Sequence, residues 1–150
     1  MGIMKIEGVI FTPQKIIPVP GGDVYRAVRL GDVGFTGFGE AYFSTFVPGA
    51  VKAWKRHRVM TLNLVVPVGS VLIVMVDTRL GSVSEGGMEV RTLAHSDYGR
   101  LTVPPGIWFG MKGLGLAPSI ILNVADIVHD PDEVDRKNQD EIAYAWDSSQ

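Results

Sequence analysis

Apolar and β-branched residues come in short runs broken by glycine and proline, and almost nowhere at helical spacing. Strands are predicted over Ile3–Phe11, Val24–Leu30, Ala41–Val47, Val51–Val59, Leu62–Val66, Val71–Val76, Met88–Leu93, Leu101–Val103, Ile107–Met111 and Ile120–Val128. Turn clusters separate them, such as Pro18-Val-Pro-Gly-Gly, Pro48-Gly49, Gly69-Ser70 and the loop from Gly81 to Gly87. About ten strands at a spacing of roughly 8–12 residues is the pattern of a β-sandwich or barrel. Only Pro131–Lys137, with a proline start and early acids, carries a helix signal. The expected fold class is all-β with little helix.

Composition narrows the picture. A chain of 150 residues with 46% hydrophobic and 20% charged residues fits one domain spanning 1–150 with a core of its own. The absence of cysteine removes disulfides, thiolate zinc sites and a Cys nucleophile together. The longest apolar stretches, Leu64–Val68 and Val71–Val76, fall far short of the roughly 18–20 residues that a membrane helix needs. Met1-Gly-Ile-Met-Lys lacks the layout of a signal peptide, and Ile6 stands where myristoylation of Gly2 needs Ser or Thr. A soluble, cytoplasmic protein without a membrane partner is expected.

Charge is uneven. Residues 126–147 hold eight acids against Arg136 and Lys137, which leaves twelve bases and eight acids in the rest. The body is therefore locally basic and the tail acidic. Either the body attracts an anionic ligand, or the tail is simply a solvated acidic segment. With an overall pI near 5.9 and no basic stripe beyond one cluster, nucleic acid is not an expected partner.

That cluster is Gly49-Ala-Val-Lys-Ala-Trp-Lys-Arg-His-Arg58. Strand alternation sends Ala53, Lys55 and His57 to one face and Trp54, Arg56 and Arg58 to the other. One reading is an edge strand defended by charge. The other turns Lys55 and His57 into the barrel, where burial and mutual repulsion lower both pKa values and suit Lys55 as a base or a phosphate anchor. The three histidines stand far apart, no acid sits at metal-ligand spacing, and neither a metal nor another cofactor is expected.

Several segments together resemble the dTDP-4-dehydrorhamnose 3,5-epimerase family of the cupins. The first cupin motif runs Gly, five residues, His-x-His, four residues, Glu, six residues, Gly, and Gly49, Lys55-x-His57, Leu62 and Gly69 fall on that spacing. The epimerases' Gly-Val-x-Arg-Gly-Leu-His-Tyr-Gln resembles Gly49–His57, and their Val-Asp-x-Arg resembles Val76-Asp77-Thr78-Arg79. Pro104–Met111 is similar to their Pro-x-Gly-Phe-Ala-His-Gly-Phe. His129-Asp-Pro131-Asp-Glu133, with Trp146 after it, is similar to their Tyr-x-Pro-x-x-Glu ending.

The resemblance implies a cupin-type jelly-roll barrel, a nucleotide-sugar or small anionic ligand, and a homodimer. It also exposes departures. The family's catalytic His falls on Lys55, its enolate-stabilising Lys on Leu62, its catalytic Tyr on Asn123 and the His of its Pro-x-Gly motif on Phe109. Its substrate-binding Arg becomes Lys52, and its Gln-x-Asn-x-Ser becomes Glu40-x-Tyr42-x-Ser44. The extension carrying the Asp that partners the catalytic His has no counterpart before Gln150. Of the three cupin metal ligands in the first motif only His57 remains.

The resemblance therefore implies an isomerase or epimerase of a nucleoside-diphosphate 4-keto-6-deoxy sugar with its usual residues substituted. Lys55 or His57 would take the proton, Asn123 would orient the sugar, and Lys52 or Arg56 would neutralise the diphosphate, with Ser44 also in the substrate site. The alternative is a cupin that binds such a ligand without turnover. Trp108, beside Phe109 and Lys112, either stacks on a base or sugar while Lys112 holds phosphate, or belongs to a core aromatic pair. His129 is either a rim ligand or a turn residue.

Overall fold

The computed structural model describes residues 3–148; Met1 and Gly2, on which the myristoylation expectation falls, and Ser149 and Gln150 lie outside them. Twelve strands run in chain order: β1 (Ile10–Pro13), β2 (Ile16–Ile17), β3 (Val24–Tyr25), β4 (Glu40–Phe46), β5 (Val51–His57), β6 (Leu62–Val68), β7 (Ser70–Asp77), β8 (Met88–Ala94), β9 (Gly99–Val103), β10 (Ile107–Gly113), β11 (Ser119–Ala125) and β12 (Val134–Arg136). Two five-stranded antiparallel sheets face each other, in the orders β1-β9-β6-β11-β4 and β12-β5-β10-β7-β8, with β2 and β3 as a separate ribbon. From β4 to β7, and again from β8 to β12, each strand lies in the opposite sheet from the one before it. This is the cupin jelly roll, and the all-β expectation holds. Helix is confined to 3-10 turns of three residues among the described residues, and no helix is long and apolar enough to cross a membrane.

The continuous apolar runs of β6, β7 and β10 are buried on both faces. Leu62, Leu64, Val71, Ile73, Met75, Ile107, Phe109 and Met111 point between the sheets into the main core. Leu72, Val74, Val76 and Trp108 point the other way, into a second cluster closed by Ile142 and Trp146 of the C-terminal segment. Both faces of such strands bury apolar side chains, so their sequence does not alternate. The outer face of the first sheet is covered differently. Arg100, fully buried, gives Nε to Asn63 Oδ1 (2.9 Å), Nη1 to Ala27 O (3.2 Å) and Nη2 to Val33 O (2.5 Å), and so pins the excursion after β3 onto the sheet. All its bonds go to oxygens, which satisfies a guanidinium that would otherwise be costly to bury.

Three expected elements differ. The run Ile3–Phe11 is strand only from Ile10, with an isolated bridge from Ile3 to Met88, because a turn at Glu7-Gly8 breaks it. Of Val24–Leu30 only Val24–Tyr25 pairs; from Arg26 the chain becomes the excursion held by Arg100. The expected helix at Pro131–Lys137 is one 3-10 turn, Pro131–Glu133, followed by β12. The start signal is real, since Asp130 Oδ1 accepts from Asp132 N (3.0 Å). Tertiary ion pairs then outweigh the local helix preference, because Glu133 and Asp135 are drawn to the bases of β5.

Candidate functional site

A cavity of about 720 Å³ opens between the two sheets. The first sheet supplies Tyr42, Ser44 and Phe46 from β4 and Asn123 from β11; the second supplies Lys52 and Lys55 from β5 and Phe109 from β10. Arg136 of β12 and the segment Lys137–Glu141 form its mouth. Alternation along β4 explains its wall, since Glu40, Tyr42, Ser44 and Phe46 share one face of the strand.

Alternation alone places Lys52 with Trp54 on the outer face of β5. The register corrects this: Lys55 faces Phe109 while Lys52 faces Met111, so β5 carries one residue more than β10 across that step. Such a bulge rotates the strand and re-aims its side chains. Lys52 thereby joins Lys55 in the cavity, its Nζ 4.3 Å from the Phe46 ring centroid and donating to Thr45 O (2.8 Å). Gly110 allows the bulge to close, since a Cβ there would sit 2.6 Å from Ala53 Cβ.

Lys55 and Arg136 are paired directly across β5 and β12. Like charges opposite one another destabilise a sheet. No carboxylate among the described residues forms an ion pair with Lys52, Lys55 or Arg136, because the neighbouring Asp135 is taken up by Arg56 and Arg58 on the outer face. Asp135 is accordingly held down to about 2 by its hydrogen bonds from Arg58 and Arg56. Burial lowers the Lys55 pKa, and the positive charges of Arg136 and Lys52 push it further down against the weaker pull of Glu133. An open cavity lined by Lys52, Lys55 and Arg136, with Glu141 as its carboxylate, is net positive, which attracts an anion and favours the neutral form of its most buried amine.

Behind Lys55, His57 is buried against Phe109, the two ring centroids 6.0 Å apart. Its Nδ1 pairs with Glu133 Oε1, and Glu133 Oε2 accepts from Val59 N (3.1 Å) and Met60 N (3.2 Å). Burial lowers the His57 pKa despite its bond to Glu133. Burial works to raise the Glu133 pKa, but the bonds from His57, Val59 and Met60 prevail and hold it low. The consistent state is a neutral imidazole donating Nδ1–H to an ionised carboxylate. His57 Nε2 is then a buried lone pair with no hydrogen-bond partner.

Of the residues singled out in the sequence, Lys55, Lys52, Ser44 and Asn123 share the cavity, and His57 lies in the interior behind it. Asn123 Nδ2 donates to Ser44 Oγ (2.8 Å) and lies 3.4 Å from the carbonyls of Tyr42 and Ile121, which orients the amide and leaves Oδ1 as an acceptor. The other four lie elsewhere. Arg56 is on the outer face, bonded to Asp135 (2.8 Å) and stacked 4.6 Å from the Trp108 ring centroid. Trp108 is in the outer apolar cluster, because alternation on β10 gives the interior to Phe109. Lys112, on the same outer side, donates to Trp146 O (2.6 Å) and anchors the C-terminal segment. His129 is exposed in the loop after β11, its backbone N–H donating to Glu40 Oε1 (3.0 Å).

Tyr42 and Arg136 were missed. Tyr42 was visible two residues from Ser44, on the same side of a predicted strand. Arg136 was hidden among the acids of the tail, and only the pairing of β12 with β5 brings it to Lys55. The acidic tail is not a solvated segment, since Glu133 and Asp135 hold His57, Arg56 and Arg58. Among the described residues, no three His, Asp or Glu side chains gather as a metal ion would need.

No family model matches the chain. A dTDP sugar isomerase from Desulfovibrio desulfuricans G20 is 37% identical and superposes with a TM-score of 0.93 over 97% of this chain and 94% of that one. A dTDP-4-dehydrorhamnose 3,5-epimerase from Sulfolobus tokodaii shares the fold, with 21% identity and a TM-score of 0.80 over 92% of this chain and 81% of that one. The probable low-salt glycan biosynthesis epimerase Agl13 of Haloferax volcanii is 26% identical over 98 residues, which span 65% of this chain and 63% of that relative, just under two thirds of its length. With a cupin jelly roll, a cavity between its sheets and this degree of likeness along nearly the whole chain, the protein belongs to the dTDP-4-dehydrorhamnose 3,5-epimerase-like family of cupins.

Proposed function

We propose that this protein is an isomerase or epimerase of a nucleoside-diphosphate 4-keto-6-deoxy sugar, with the Lys55 amine as the base that removes the proton beside the ketone. The observation that carries this reading is Lys55 itself: an amine with a lowered pKa, in a cavity with Lys52 and Arg136, and with no carboxylate ion-paired to it among the described residues. An amine brought toward neutrality is the form a general base requires. Lys52 and Arg136 are placed to meet a diphosphate, and charge-assisted bonds to phosphate are among the stronger ones. Asn123 Oδ1 and the Ser44 hydroxyl offer an acceptor and a donor to sugar hydroxyls. The names of the relatives, an isomerase of dTDP sugars and a glycan epimerase, support the same class of substrate.

Proton removal and return can be followed by solvent deuterium entering dTDP- and GDP-4-keto-6-deoxy sugars. Incorporation at a carbon next to the ketone is the expected result. Tight binding with no incorporation into any of them would make the protein the non-catalytic binder instead. The same proposal takes the protein as a homodimer, since β4 is a seven-residue edge strand with Phe43 exposed along it and Val47 exposed just past its end. Sedimentation as a monomer at micromolar concentration would contradict the dimer.

A further inference from the structure

Removing a proton from a sugar carbon leaves an enolate, and what happens next depends on which wall returns the proton. Lys55 stands on the second sheet. On the opposite wall, the first sheet offers three groups with exchangeable protons: Tyr42, Ser44 and Asn123. Ser44 Oγ already accepts from Asn123 Nδ2 (2.8 Å), and neither an aliphatic alcohol nor an amide approaches a phenol as an acid. The Tyr42 hydroxyl has no hydrogen-bond partner among the described residues. Tyr42 is also the direct cross-strand neighbour of Asn123, so the phenol stands beside the amide proposed to meet the sugar hydroxyls.

We infer that Tyr42 is the proton donor opposite Lys55, and that the protein therefore inverts the sugar carbon it deprotonates. This rests on the proposed role of Lys55. The neutral amine takes the proton, the C–H electron pair becomes the C=C of the enolate, and the ketone oxygen carries the negative charge. The Tyr42 O–H then gives its proton to the same carbon from the other face. The C=C pair forms the new C–H bond, the carbonyl is restored, and the phenolate and ammonium return to their starting states by exchange with water. Partial burial, with the negative charge of Glu40, raises the Tyr42 pKa above its ordinary 10, so the phenol carries its proton at neutral pH.

The test is Tyr42→Phe assayed in deuterium oxide with dTDP-4-keto-6-deoxyglucose, following deuterium in recovered substrate and inverted product separately. Inverted product should form roughly a hundredfold to ten-thousandfold more slowly, the range of one general acid. Exchange into recovered substrate should persist, since Lys55 can still remove and return a proton on its own face. Product formed at the wild-type rate would overturn the role of Tyr42 and leave Lys55 standing. Equal loss of exchange and product would also overturn it, because Tyr42 would then be needed before proton removal. Wild-type exchange with no inverted product would do the same. A wild type with neither exchange nor product would instead remove the reading of Lys55, and Tyr42 with it.

Discussion

Replacing Lys55 with Met should lower kcat/KM by about 10²–10⁴-fold, the usual contribution of a general base, while leaving the fold at least as stable as before. Lys55 is the cross-strand neighbour of Phe109, its Nζ 5.8 Å from the ring centroid and so at the outer limit of a cation–π contact, and Met keeps most of the side-chain volume. What it removes is a positive charge directly across the sheet from Arg136. Relief of that repulsion is worth under about 1 kcal/mol, so the melting temperature should hold or rise. Activity lost with stability kept is the signature of a residue retained for chemistry rather than packing. Lys55→Arg should be equally inactive, because a guanidinium stays protonated and cannot accept the proton. Loss of stability in parallel with loss of activity would point to a structural lysine instead.

The second large effect is on stability. Glu133→Ala should cost about 3–5 kcal/mol, the usual result of breaking a buried pair and leaving its partners unsatisfied. The carboxylate satisfies the His57 ring and the N–H groups of Val59 and Met60, and it ties the C-terminal segment to the end of β5. For a domain of this size the loss should lower the melting temperature by on the order of 10 °C. The pH dependence has a definite sign. His57 is lowered from its ordinary 6.5, so the unfolded chain takes up that proton first and stability falls as pH drops below that value. Glu133 is lowered from 4.5, and its contribution, present above that pH, is lost as pH falls through its folded value. Denaturant melts of both proteins between pH 7 and 5 should show both losing stability on acidification and Glu133→Ala losing it more steeply, because without Glu133 nothing raises the His57 pKa against burial. Parallel profiles would contradict the pairing.

The strands were legible wherever turn residues and apolar runs decide the structure locally. From β4 to β11 the expected runs fall on the observed strands within a few residues, because each is flanked by its own punctuation. What was not legible depends on partners far along the chain. β12 is three residues long and exists through its pairing with β5, some eighty residues earlier, so its own sequence reads as the start of a helix. The bulge that turns Lys52 inward belongs to the register between β5 and β10, which neither strand declares alone. The choice between Trp108 and Phe109 turned on strand parity. Both are aromatic, and only the phase of β10 sends Phe109 to the cavity and Trp108 to the outer cluster. Tyr42 stands in the sequence as the middle residue of a substituted binding motif, and only the pairing of β4 with β11 sets its phenol beside Asn123.

The central claim, that the cavity is an anion site built for a nucleoside diphosphate with Lys55 at its reacting end, is met most directly by a crystal structure with dTDP soaked in. The expected result is a diphosphate against Arg136 and Lys52, its terminal phosphate on the side of Lys55, Tyr42 and Asn123. An empty cavity at millimolar dTDP, or a nucleotide bound instead on the outer face beside Arg58, would contradict it.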